Sequence, residues 1–156
     1  SQWEKPNCLK SASELADQNT DYYWVQHPVR AWVPAKPING NAAPGLWTVF
    51  QTEEHVEVKK KSHIGGLIPD VNKTTVNTSD LVQLDQVEEP AIIHLLQSRF
   101  LRDEIWTSVG DILIAINPFK RTNHFTPTES KMYRGRGTEQ LPPHPYIVID
   151  DAYNDM

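Results

Sequence analysis

Asp111-Ile-Leu-Ile-Ala-Ile-Asn-Pro-Phe-Lys120 is a short apolar run that ends abruptly in a polar turn. Its five consecutive apolar residues, Ile112 to Ile116, include three β-branched side chains. That predicts a strand buried on both faces rather than the face of a short helix. Asn117-Pro118 stops the run, because proline removes a backbone donor and fixes φ, so the chain leaves the sheet as a loop where a ligand can be met.

The neighbouring segments fall into place around this strand. Upstream, Ile105-Trp106-Thr107 and a turn through Ser108-Val-Gly110 predict the other arm of a hairpin. Before it, Pro90 suits a first helical position, and Ile93, Leu96 and Phe100 recur at helical spacing, with Ile92 broadening the stripe. Ser79-Asp80 is placed to cap a short helix carrying Leu81 and Leu84. Downstream, Thr126-Pro-Thr-Glu129 has capping-box spacing, and Gly135 sits where that helix would end. Pro142-Pro-His-Pro145 then leads into a helix whose apolar face is Tyr146, Ile149, Tyr153 and Met156, with no evident surface left to cover it.

The N-terminal half has a different texture. Residues 1–21 read as a polar arm with Trp3 and Leu15 as isolated apolar side chains. From Tyr22, the residues Val29, Ala31, Val33 and Ala35 fall on one face at period two, with Arg30 and Trp32 on the other. A breaker-rich loop, Pro37-Ile-Asn-Gly-Asn-Ala-Ala-Pro-Gly45, leads to Leu46-Trp-Thr-Val-Phe-Gln51 and then to His55-Val-Glu-Val-Lys59. Three short strands in this span predict a small SH3-like barrel over residues 22–64. Gly65-Gly66 and Pro69 mark its exit, and residues 65–78 read as a linker. Lys59-Lys60-Lys61 reads as a solvated strand end, with a patch for phosphate or an acidic partner as the alternative.

Composition narrows the function classes. With 38% apolar and 22% charged residues over 156 positions, the chain suits one ordinary domain, or a small module joined to part of a larger one. A formal charge of -5 gives no general attraction to nucleic acid or an anionic membrane. Cys8 is the only cysteine, so no internal disulfide forms and a reducing compartment is expected. No apolar run is long enough for membrane insertion, and residues 1–30 hold no signal-peptide core, so the expected location is cytoplasmic. The start without methionine and the unstopped helix at Met156 lead us to expect a segment of a longer protein.

No catalytic set stands out. Six histidines lie at 27, 55, 63, 94, 124 and 144 without the spacing of a zinc site, and His94 reads as a packed or half-exposed residue of its helix. There is no Gly-x-Ser-x-Gly elbow, and Arg134-Gly-Arg-Gly137 follows a helix rather than a strand. No Gly-x-x-x-x-Gly-Lys-Ser/Thr loop occurs, so these residues do not cradle a triphosphate in that manner.

A family resemblance enters through strings that keep one order. These are Asp80-Leu81 with Leu84; Glu89-Pro90-Ala91 with His94-Leu95; Ile112-Leu-Ile-Ala-Ile-Asn-Pro-Phe-Lys-Arg121; Tyr133-Arg-Gly135; and Leu141-Pro-Pro-His-Pro-Tyr146 with Asp151-Ala-Tyr153 and Met156. Together they resemble the start of the myosin motor domain, placed here at residues 79–156. Trp32-Val-Pro-Ala-Lys36 and the strands after it are similar to the SH3-like subdomain that precedes many such motors. The resemblance implies a mixed α+β fold. In it, a small N-terminal SH3-like β-barrel is followed by helices and a β-hairpin of the central mixed sheet of a P-loop motor domain.

It also implies an ATP-driven, actin-based motor, cytoskeleton-associated, with ATP and Mg2+ as cofactors of the complete motor only. The partners implied are the remainder of the motor domain, and actin filaments and light chains bound through regions outside this chain. Carried over from the family, Asn117, Pro118, Phe119, Lys120 and Arg121 line the adenine side of the nucleotide pocket. Family members often place a tyrosine eight residues after the asparagine, its hydroxyl near the adenine amino group; here that position is Phe125. One neutral hydrogen bond, worth about 0.5–1.5 kcal/mol, is then missing, which relaxes base selectivity. The family's phosphate loop lies beyond the equivalent of Met156, so these residues alone are expected to be inactive, with Ile112–Ile116 left as an exposed apolar edge.

A reading from another class is an SH3-like interaction module on a non-catalytic scaffold. Its groove would be drawn from Trp24, Trp32 and Trp47, which otherwise belong to the barrel core.

Overall fold

The turn at Pro28 decides how the N-terminal half folds. In the computed structural model, which describes residues 21–50, 52–71, 78–136 and 141–156, the period-two run from Val29 to Ala35 is not one strand. His27 Nδ1 accepts the backbone N–H groups of Val29 and Arg30, each at 3.1 Å. Ala31 takes a left-handed φ of 57°. The chain therefore reverses, leaving Val29 exposed in the turn and forming two antiparallel strands, β1 (Tyr22–His27) and β2 (Ala31–Pro37). The expected polar arm with Cys8, most of the expected linker, and Gly137 lie outside the described residues.

The described residues group into two compact units. One is built on residues 21–71 and 86–98, the other on 78–85 and 99–156. In the first, β3 (Gly45–Val49), β4 (His55–Val58) and β5 (Ile64–Ile68) join β1 and β2 in an antiparallel sheet of order β4-β3-β2-β1-β5. The two end strands pair on one side only, so the sheet does not close into the expected barrel among the described residues. Its core is aliphatic around one indole: Val25, Val33, Ala35, Trp47, Val49, Val56 and Val58. The strand β5 occupies the segment whose glycines suggested an exit. A Cβ on Gly65 would lie 2.9 Å from the Trp24 Cβ, so the missing side chain marks a close crossing of strands rather than a break.

Helix α1 (Glu89–Leu101) starts next to Pro90 as expected. His94 stacks obliquely on Trp24, with ring centroids 5.3 Å apart, and donates from Nδ1 to the Trp32 carbonyl at 3.2 Å. The buried row of the helix is Ala91, Leu95 and Arg99, while Ile93, Leu96 and Phe100 are only half-buried. The apolar stripe read from the sequence is thus rotated from the true inner face. Arg99 was not read as part of that face because a charged residue ordinarily marks a solvated side.

The second unit is organised by a hairpin of β6 (Trp106–Val109) and β7 (Ile112–Ala115). In place of the expected short helix, Leu81–Gln83 make a single 3-10 turn, with Asp80 Oδ1 accepting from Val82 N at 3.0 Å. The expectation that Ile112–Ile116 is buried on both faces is not met. Among the described residues β7 pairs only with β6, and Ile112 is 67% exposed.

The register explains which edges are covered. Ser108 N–H points away from β7 to the Ser79 carbonyl, 2.9 Å, while Ile116 N–H reaches across to the Ile105 carbonyl, 2.9 Å. Alternation in an antiparallel pair then turns the backbone groups of Leu113 and Ala115 outward, away from β6. The outer edge of β6, by contrast, is occupied. Arg99 donates from Nη2 to the Trp106 carbonyl, from Nη1 to the Thr78 carbonyl and from Nε to Thr107 Oγ1, all at 2.9 Å. It is also paired with Glu104 at 3.2 Å.

Two helices complete this unit. α2 (Pro127–Tyr133) opens with the expected capping box: Thr126 Oγ1 accepts from Glu129 N, and Glu129 Oε2 accepts from Thr126 N at 2.9 Å. It stops before Gly135, whose φ is +69°. α3 (Pro145–Asn154) buries Ile147; of the apolar face expected to stay uncovered, Tyr146 is half-buried against Phe125, Tyr133 and His144, while Ile149, Tyr153 and, just past the helix, Met156 are exposed.

Candidate functional site

Where β7 ends, the chain makes a tight polar turn. Asn117 Oδ1 accepts from Phe119 N at 2.9 Å, an Asx-type closure. Phe119 is held in the left-handed region at φ 50° with its ring 90% exposed. A large apolar ring turned to water from a constrained backbone is unusual for a surface loop. Pro118 is half-buried. Lys120 Nζ pairs with Asp103 Oδ1, which ties the loop to the segment before β6. Arg121 is exposed. The Asn117 oxygen is committed to the turn, so its carboxamide N–H groups are what it can offer outward.

Phe125 belongs to a second set of contacts. Although 59% exposed, it packs edge-on to Trp106 (5.8 Å) and Tyr146 (5.7 Å) and obliquely on His144 (5.4 Å). At the centre of this aromatic group is His144, 3% exposed. Its ring lies 4.3 Å from Trp106 and stacks on Tyr133 at 4.7 Å and 23°. Its Nδ1 accepts from Tyr146 N at 3.1 Å, capping α3, and its Nε2 lies 2.9 Å from the carbonyl of His124. A carbonyl only accepts, and a ring nitrogen that accepts an N–H carries no proton. His144 is therefore the neutral tautomer protonated on Nε2.

Burial holds the His144 pKa below the usual histidine range, and the nearby His124 acts in the same direction. The bond to the His124 carbonyl and the Glu129 carboxylate oppose this shift. Burial also raises the pKa of the Tyr133 hydroxyl, which donates to the Pro142 carbonyl at 3.2 Å. Of this cluster, only Phe125 was assigned to the site from the sequence, where Trp106, Tyr133, His144 and Tyr146 entered as parts of elements or family strings. The signal that was available is a histidine close to proline in each of Asn123-His-Phe-Thr-Pro127 and Pro142-Pro-His-Pro145.

The alternative groove does not form. Trp24 and Trp47 are buried, at 1% and 0% exposure. Only Trp32 lines the open cavity of about 360 Å³ on the first unit, beside His27, Glu57, Lys59 and His63. Among the described residues no three His, Cys, Asp or Glu side chains gather as a metal site, and no helix is long and apolar enough to cross a membrane.

Residues 78–156 match the family described as Myosin head (motor domain). The chain is 37% identical over 138 residues to the high molecular weight form of myosin-1 of Acanthamoeba castellanii, which covers 87% of this chain and 9% of that protein. The chain belongs to the myosin family. It carries the N-terminal part of the motor domain, as the resemblance implied. It is likewise 34% identical to Myosin-6 of Arabidopsis thaliana over 86% of its length, and 32% identical to the Myosin-J heavy chain of Dictyostelium discoideum over 97%. These matches take up 9% and 7% of the two myosins, so the chain spans less than a tenth of the length of the relatives it matches.

Proposed function

We propose that this chain serves as the N-terminal part of an ATP-driven, actin-based myosin motor. In this reading Asn117, Pro118, Phe119, Lys120, Arg121 and Phe125 form the adenine-side wall of its nucleotide pocket. The observation that carries the reading is the turn after β7. It lies inside the span matched to the motor domain, and its backbone is constrained so that Phe119 faces outward beside the carboxamide of Asn117. An exposed aromatic ring next to a polar amide suits a purine, which offers a π-face and a rim of acceptors and donors. Lys120, drawn aside by Asp103, shapes the loop rather than meeting the base.

ATP and Mg2+ are cofactors of the complete motor in this proposal, and actin, light chains and a cytoskeletal location belong to it as a whole. These 156 residues contain no Gly-x-x-x-x-Gly-Lys-Ser/Thr loop, so we derive no phosphoryl-transfer step through them. Their task is to hold the base. The N-terminal sheet, residues 22–64 with the strand that follows, is read as the SH3-like subdomain of the same motor.

The test uses the full motor protein carrying these residues. Actin-stimulated, Mg2+-dependent ATP turnover is expected, and its absence overturns the motor assignment. Asn117→Ala is expected to raise KM for ATP. Phe125→Tyr, which restores the family hydroxyl, is expected to lower it by about 2- to 10-fold, the equivalent of one neutral hydrogen bond. If neither substitution moves KM, the base is held elsewhere.

A further inference from the structure

His144 does more than fill the aromatic cluster. One imidazole joins its own helix α3, the end of α2 and the loop that precedes α2. Its Nδ1 caps α3 through Tyr146 N, its Nε2–H reaches the carbonyl of His124, and its face stacks on Tyr133 at the end of α2. His124 immediately precedes Phe125, whose own ring leans on His144, Trp106 and Tyr146. The backbone on one side of Phe125 is thereby fastened to α3, while Thr126 on the other side is fastened to α2 by the capping box.

We infer that His144 is a positioning residue for the nucleotide pocket: through the His124 carbonyl it fixes where Phe125 stands in the base-side wall. This rests on the reading of Phe125 as part of that wall. Only an imidazole does both tasks at once, because it presents an acceptor and a donor on opposite sides of one flat ring. Phenylalanine keeps the stacking and loses both hydrogen bonds. Asparagine keeps an acceptor able to cap the helix but has neither the ring nor the reach to His124. The neutral state matters as well. Protonating Nδ1 would set a second donor against Tyr146 N–H, and the groups facing the ring are His124, Glu129, Tyr133, Tyr146, Trp106 and Phe125.

The test is kinetic, in the full motor protein, with ATP as the probe. His144→Asn and His144→Phe are each expected to raise KM for ATP about fivefold or more while kcat stays within about twofold, the pattern of a lost contact made equally in the ground and transition states. A folded variant with unchanged KM overturns the inference. Phe125→Ala is run beside them. If it raises KM and the His144 variants do not, the positioning role alone fails. If Phe125→Ala is itself silent, the wall reading fails and the inference with it. Should neither His144 variant fold, nitrogen-15 shifts of labelled histidine in the unmodified protein decide. The proton is expected on Nε2 at neutral pH, and an Nδ1–H tautomer or an imidazolium overturns the proposal.

Discussion

A guanidinium with almost no water around it has to find its hydrogen bonds within the protein, and Arg99 finds them in two carbonyls, a threonine hydroxyl and the Glu104 carboxylate. Its fork geometry is what permits this, since three nitrogens point to three acceptors at once. Arg99→Lys leaves at least one of those acceptors unpaired, and we expect it to cost about 2–4 kcal/mol, read as a lowered denaturant midpoint. Arg99→Met at similar volume strands them all and should cost no less. His144 gives a second, pH-dependent consequence. Because burial lowers its pKa in the folded state, the unfolded chain binds a proton more readily, so the contribution to stability is complete above about pH 6.5 and is lost as pH falls below it. Glu129, whose pKa is lowered first by the Thr126 amide, loses its contribution in the same direction, below the ordinary glutamate range. Unfolding midpoints between pH 5 and 8 should therefore fall toward acid, and His144→Asn should flatten the upper part of that slope.

At the scale of single elements, the sequence was most readable where a signal is local. The capping box at Thr126 and Glu129 needs only four neighbouring residues, and the structure has both of its reciprocal hydrogen bonds. Thr126→Ala is expected to destabilise by about 1 kcal/mol, measured by thermal unfolding, with the loss concentrated at the start of α2. The hairpin of β6 and β7 was legible for the same reason, with Gly110 in the left-handed turn that its tight connection requires. Elements failed to read where a neighbour distant in sequence overrode the local pattern. Gly65-Gly66 looks like a breaker until Trp24 is seen crossing Gly65, and Val29 looks like strand until His27 folds the backbone around its ring.

For the whole molecule, the readable part of the candidate site is the turn Asn117-Pro-Phe, whose sequence carries both the stop and the Asx closure. The supporting cluster was not readable, because Trp106, His124, Phe125, Tyr133, His144 and Tyr146 are spread over some forty positions and share no period. No single-sequence pattern encodes a contact between such residues; only packing brings them together. The mixed α+β class stands, and among the described residues two antiparallel sheets take the place of the expected barrel and of the expected strand buried on both faces. The outward backbone of β7 has one more consequence. In a solution of this chain in deuterium oxide, the amides of Ile114 and Ile116, turned toward Thr107 and Ile105, should exchange slowly, while those of Leu113 and Ala115 exchange at nearly the rate of an open chain. Every second amide along one strand thus becomes a clock. The day a neighbouring strand docks along that edge, the two fast signals should slow together while the other two stay as they were.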